Sequence, residues 1–226
     1  MNGPAERDSA QPRVLSLRCR ACSATLPAAS SDVAFRCAQC GRGWEIEQGE
    51  LVERPALYIA PPANPSHALL YLPYWSFRAS AAAQPKRRLD EGVLAARDRA
   101  AGFKRAYIAA YAIHRPTYVG EWGLIYTRAQ PEWETRAGHG PQSPGASLAA
   151  RDAAVVVEHY ILAEIDKAAD LGSLQVSVEI SDPELWAVPC LDMGEFLRCP
   201  WSGAELPASA LDDLAEMRHA TEERHA

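Results

Sequence analysis

Cys19, Cys22, Cys37 and Cys40 form two C-x-x-C pairs separated by fourteen residues. Nothing else in the 226-residue chain restricts its folding so tightly. Each C-x-x-C lets two thiolates converge from one tight turn. Two such turns facing each other complete a tetrahedral four-sulfur cage. Zinc suits that cage, because it has no ligand-field preference and bonds thiolate at about 2.3 Å. Gly41 follows the second pair and permits the positive φ that such a turn often needs; Ser23 follows the first, so that turn is less typical.

The flanks read as short strands. Val14–Arg18 leads into the first turn and Val33–Arg36 into the second, and Trp44–Glu47 and Leu51–Arg54 form a hairpin through Gln48–Gly49. Over residues 13–55 this pattern resembles a zinc ribbon. The resemblance implies a three-stranded fold held by a structural zinc ion on Cys19, Cys22, Cys37 and Cys40. The stretch has too few apolar residues to fold unaided, so metal binding and folding should be coupled. Two disulfides would suit a secreted chain. The polar Met1–Arg13 stretch has no apolar h-region, so a secretory signal is not expected and a cytoplasmic setting is. A redox C-x-x-C usually stands singly at a helix N-terminus. Iron of the rubredoxin type uses similar turns with a wider gap, and it remains the alternative metal. With all four positions filled by protein, a metal-bound catalytic water is not expected. Cys190 and Cys199 read as small buried hydrophobes, with a strained pair or a ligand cluster as the alternative.

Beyond the cysteines the expected fold class is α+β: the ribbon, then a mostly antiparallel sheet with one long packed helix and a C-terminal helix. The expected organisation is a disordered 1–12, the ribbon at 13–55, a proline-marked linker at 56–66 and an α+β domain at 67–226. Ala68–Arg78, Phe103–Ile113, Tyr118–Arg128, Leu174–Ile180 and Glu184–Val188 read as strands, and Glu195–Arg198 closes a hairpin through Met193–Gly194. Leu70, Leu72 and Tyr74 alternate with Tyr71, Pro73, Trp75 and Phe77, so both faces of that strand are apolar and it should be central and doubly covered. Asp90–Ala101 reads as a short helix, and Ala129–Ser147 as a long surface loop. The main helix is expected at Leu148–Leu171, capped by Ser147, ended by Gly172 and apolar at Val155, Val156, Tyr160, Ile161, Ile165 and Ala168. A second helix is expected from Ala208 to about Glu222. Tyr71–Tyr74, Tyr107–Tyr111 and Trp186–Cys190 echo one another as aromatic, aliphatic and small residues, through duplication or chance. The ribbon followed by the Tyr71–Trp75 run also resembles uncharacterised bacterial proteins with an N-terminal zinc ribbon and a β-rich body. That resemblance implies no activity.

The formal net charge of −6 is unevenly spread. Residues 1–55 are balanced, residues 56–150 carry a surplus of five basic groups, and residues 151–226 a surplus of eleven acidic ones. Lys86, Arg87, Arg88, Lys104 and Arg105 form the one candidate basic patch, against the plainer reading of a solvated face. No apolar run reaches the roughly 18 residues of a membrane helix. No phosphate-binding, dinucleotide-binding, serine-hydrolase or zinc-protease motif is present. His114, Glu121, Trp122 and Tyr126 are the residues to examine for an unrecognised pocket. The leading expectation is a non-enzymatic zinc-binding protein that docks on another protein. The alternatives are a nucleic-acid-binding factor using the ribbon and the 86–105 stretch, and an enzyme with a site near His114.

Overall fold

The computed structural model describes residues 15–26, 28–113, 121–211, 214, 215 and 218. The strands β1 (Ala34–Arg36), β2 (Gly43–Glu47) and β3 (Glu50–Arg54) form a small antiparallel sheet in the order β1-β2-β3. The remaining described residues run β4 (Ala56–Ile59), β5 (Leu69–Pro85), α1 (Glu91–Ala101), β6 (Arg105–Ala109), α2 (Glu121–Ala129), β7 (Thr135–Arg136), α3 (Ala150–Asp166), β8 (Leu174–Ile180), β9 (Glu184–Asp192), β10 (Phe196–Arg198) and β11 (Glu205–Pro207). These eight strands form one mixed sheet in which only β4 and β9 pair in parallel. The fold is α+β.

β5 is the axis of that sheet. Its first half pairs with β9 on one edge, Tyr74–Arg78 pairs with β6 on the other, and Ala79–Pro85 pairs with β8. Between the Ala79↔Ile180 and Ser76↔Glu184 pairs, β5 contributes two residues and the facing chain three, Ser181–Pro183. The extra residue bends the ladder there, as a bulge does. The Arg78 N–H bonds the Ser181 hydroxyl at 2.9 Å, and the Ser181 N–H bonds the Arg78 carbonyl at 2.9 Å. Alternation along β5 sends Trp75, Phe77, Ala79 and Ala83 into a core shared with α1 and α3. Leu70, Leu72 and Tyr74 enter a second core, shared with α2, β9, β10 and β11. The strand is central and covered on both faces, as its apolar run required.

Several expectations are corrected. Tyr118–Arg128 is not a strand: from Glu121 onward it is α2, whereas residues 118–120 lie outside the described residues. Its aromatic composition favours a strand, but Trp122 and Tyr126 lie one helical turn apart and both enter the second core. Gly123 lets α2 approach β6 closely, since a Cβ there would lie 2.4 Å from the Tyr107 carbonyl oxygen. The hydroxyl of Thr127 accepts the Tyr107 N–H at 2.9 Å. Gln130 accepts the Arg105 N–H and donates to the Arg105 carbonyl at 3.0 and 2.6 Å. These side chains pair the edge of β6 as a neighbouring strand would.

The main helix is shorter than expected, and Ser147 does not cap it. The Ser147 hydroxyl bonds the Ala110 carbonyl at 3.2 Å, and Ala149 occupies the cap position without a side-chain bond. Val155 and Val156 are exposed; the buried face carries Ala153, Val157, Tyr160, Ile161 and Ile165. Gly172 lies beyond the helix, in a 3-10 turn at Leu171–Ser173. β5 runs past the expected Arg78 end through Ala79–Pro85, because the small side chains there pack under α1 and α3. The 129–147 segment contains β7 and a bridge from Ala146 to Ala34, and Ala146 is fully buried. Residues 56–59 of the expected linker enter the main sheet as β4. Of the expected C-terminal helix, Ala208–Ala210 is a 3-10 turn and residues 214, 215 and 218 are helical; the remainder lies outside the described residues. No helix among the described residues is long and apolar enough to cross a membrane.

Candidate metal centre

The cysteine turns are built from the same parts. The Cys19 N–H bonds the Ala24 carbonyl at 2.8 Å, and the Ser23 N–H bonds the Cys19 carbonyl at 2.8 Å. In the second turn the Cys37 N–H bonds the Arg42 carbonyl at 2.8 Å, and the Gly41 N–H bonds the Cys37 carbonyl at 2.7 Å. Both turns need a left-handed residue after the second cysteine, with φ of 62° at Ser23 and 77° at Gly41. The expected strand before the first turn reduces to an isolated bridge between Arg18 and Thr25; Val14 lies outside the described residues.

These turns bring all four sulfurs within 4.8 Å of one another. Cys19 Sγ lies 3.5 Å from Cys40 Sγ, and Cys22 Sγ lies 3.6 Å from Cys37 Sγ. A tetrahedral tetrathiolate with metal–sulfur bonds near 2.3 Å sets its sulfurs about 3.8 Å apart, so the cage could hold a metal ion. Cys19 and Cys37 are buried, whereas Cys22 is exposed. Trp44, which sequence reasoning assigned only to a strand, donates its indole N–H to Cys19 Sγ at 3.3 Å. Its signal is an aromatic on the strand leaving the second turn, paired with Phe35 on the strand entering it.

The thiols are unequal. Burial pushes Cys19 up, but the backbone N–H groups of Ala21 and Cys22, with Cys40 and Trp44, bring it down to about 6. Burial and the sulfurs of Cys19, Cys22 and Cys37 push Cys40 up to about 12. Burial also raises Cys37. A cation among the sulfurs would favour their thiolate forms.

The cysteine module is anchored to the body by two buried charged residues. Glu45 on β2 accepts the N–H of Ala150, the first residue of α3, at 2.7 Å, and its other oxygen accepts the Arg54 Nε–H at 2.7 Å. Glu45 thus does the capping that Ser147 was expected to do, and its charge complements the helix N-terminus. Arg36 on β1 donates to the Pro141 carbonyl at 2.9 Å and to the Gly138 carbonyl at 2.5 Å. It also lies over the Tyr58 ring at 5.0 Å. Gly41 sits directly against this loop, since a Cβ there would lie 2.0 Å from the Gly138 oxygen.

Of the other candidates, those among the described residues serve the core or stand apart. His114 lies outside the described residues, and Glu121 begins α2 with its side chain outside them. Trp122 and Tyr126 are buried in the second core. Arg105 is bound to Glu184 at 2.7 Å and lies over the Trp186 ring at 4.7 Å. Lys86, Arg87 and Arg88 precede α1 and Lys104 follows it, so the eleven-residue helix, about 16 Å long, separates them. Cys190 and Cys199 are both buried and free. Compared with protein-family models, curated proteins and solved structures, the chain matches none.

Proposed function

We propose that the chain is a cytoplasmic zinc-ribbon adaptor that docks on another protein, with zinc as a structural ion on Cys19, Cys22, Cys37 and Cys40. Four thiolates and no open position suit structural zinc rather than metal-assisted hydrolysis. Thiolate ligation needs reduced cysteines, which suits a reducing compartment.

One observation carries the docking reading. Arg20, Ala21, Cys22 and Ser23 are exposed at the tip of the first turn, while Glu45 and Arg36 fix the same module to the body. A tip held in this way needs little ordering on binding, which lowers the entropic cost of association. Arg18 and Arg20 are exposed beside it, so an acidic partner surface would complement it. The test is a photo-crosslinking residue at Ala21 in the full chain within its native cell, with one at Glu179 as the control site. Discrete protein adducts from position 21, absent from position 179 and lost with Cys37→Ser, are expected. Adducts to nucleic acid, or the same pattern from both sites, would contradict the proposal.

A further inference from the structure

The hairpin around Cys199 repeats the corner around Cys37. β1 and β2 pair as Ala34↔Glu45, Phe35↔Trp44 and Arg36↔Gly43. β10 and β11 pair as Phe196↔Pro207, Leu197↔Leu206 and Arg198↔Glu205. Each position of the second hairpin follows its counterpart by the same interval, so the register is identical.

The turns between them match as well. The Cys199 N–H bonds the Ala204 carbonyl at 2.8 Å, and the Gly203 N–H bonds the Cys199 carbonyl at 3.0 Å. These are the bonds of Cys37 to Arg42 and of Gly41 to Cys37. Gly203 has φ of 70°, beside 77° at Gly41. The Ser202 N–H donates to Cys199 Sγ at 3.4 Å. Three residues are shared at equivalent places: Arg36 and Arg198, Cys37 and Cys199, Gly41 and Gly203. A generic hairpin does not need a six-residue loop that closes on the cysteine amide.

We infer that residues 196–207 are a second, metal-free copy of the metal-holding corner, in which Ser202 stands where the second thiolate would be. The donor set at the copy does not make a metal cage. Continuing the β9–β10 ladder from Leu197↔Asp192 and Arg198↔Leu191 sets Cys199 opposite Cys190. Cys190 is fully buried and its thiol donates to the Leu70 carbonyl at 3.4 Å. Burial also pushes that thiol upward, so it stays protonated. A hydroxyl and a buried, protonated thiol do not complete a thiolate cage round Cys199. Packing substitutes for the metal: Leu197 and Leu206 replace Phe35 and Trp44 as the inward pair, and both are buried in the second core. The tip of the copy displays Trp201, 41% exposed, its ring tilted against Trp133 at 5.3 Å; the equivalent tip of the first corner carries Gln39.

The test restores the second sulfur of the pair. Ser202→Cys in the full chain, its first site filled with zinc, is treated with phenylarsine oxide, which condenses with two neighbouring thiols and releases water. One bridged arsenic per chain, lost on adding Cys199→Ser, is expected in the variant and not in wild type. A folded variant that does not take up one bridged arsenic through Cys199 and the introduced thiol, or a wild type that takes one up through Cys199, would overturn the inference. Should the variant fail to fold, amide exchange in the unmodified chain decides. Protection at Cys199 and Gly203 should be the same with and without chelator. Loss of that protection on chelation, with β5 and β9 still protected, would overturn it.

Discussion

Glu45 of the cysteine module accepts the N–H of Ala150, the first residue of α3, at 2.7 Å, so one corner of the small sheet serves as the cap of the body's longest helix. The same carboxylate holds Arg54 and is only 1% exposed. Glu45→Ala should cost about 3 kcal/mol, because it leaves a half-buried guanidinium and a helix N-terminus short of their shared partner. Glu45→Gln keeps an acceptor for Ala150 and should cost less. Urea unfolding of the two variants measures both.

Ser23 and Gly41 do the same conformational work with different residues. A left-handed non-glycine residue costs about 1–2 kcal/mol, so Ser23→Gly should stabilise the chain by about 1 kcal/mol. Gly41→Ala should do the reverse, and by more, since its Cβ would overlap the Gly138 carbonyl at 2.0 Å. Thermal unfolding of both variants with metal present is the check.

Thr127 is the acceptor for a buried strand-edge amide. Thr127→Val keeps the shape and removes the oxygen that binds the Tyr107 N–H. A loss of about 1–3 kcal/mol is expected, the cost of an unsatisfied buried donor. Faster amide exchange at Tyr107 should accompany it.

Asp192 ties the C-terminal segment to the β9–β10 hairpin. The Arg218 guanidinium donates to both its oxygens at 2.8 Å and holds its carboxyl below the ordinary carboxylate range. The folded chain therefore binds fewer protons there than the unfolded chain as the medium becomes acid. The stabilisation is present above the ordinary carboxylate value of about 3.9 and is lost as pH falls through the lower folded value. Asp192→Asn should lower stability near neutrality and flatten the acid limb of the stability curve. An unchanged acid limb in that variant would contradict the assignment.

Much of the architecture was legible where one physical signal dominates. The Cys19–Cys40 quartet, the Gln48–Gly49 hairpin, the two apolar faces of β5 and the alternation of β8 each follow from a spacing with a single good solution. The misreadings fall where tertiary contacts outweigh local preference. α2 carries strand-prone aromatics, but Trp122 and Tyr126 meet the second core at helical spacing. The cap of α3 comes from Glu45, more than a hundred residues away, and no local pattern announces it. The Cys199 corner shows no C-x-x-C signature, because Ser202 interrupts it, although Arg198, Cys199 and Gly203 repeat Arg36, Cys37 and Gly41.

The central claim is that four sulfurs hold one ion and thereby shape the module that Glu45 and Arg36 fix to the body. Native mass spectrometry of the full chain, purified without chelator and under reducing conditions, tests it most directly. The mass should exceed that of the polypeptide by about one zinc ion, less the protons displaced from the thiols, and the excess should vanish in Cys37→Ser. A metal-free mass lowered by the hydrogens of disulfide formation, or an ion retained in Cys37→Ser, would contradict it.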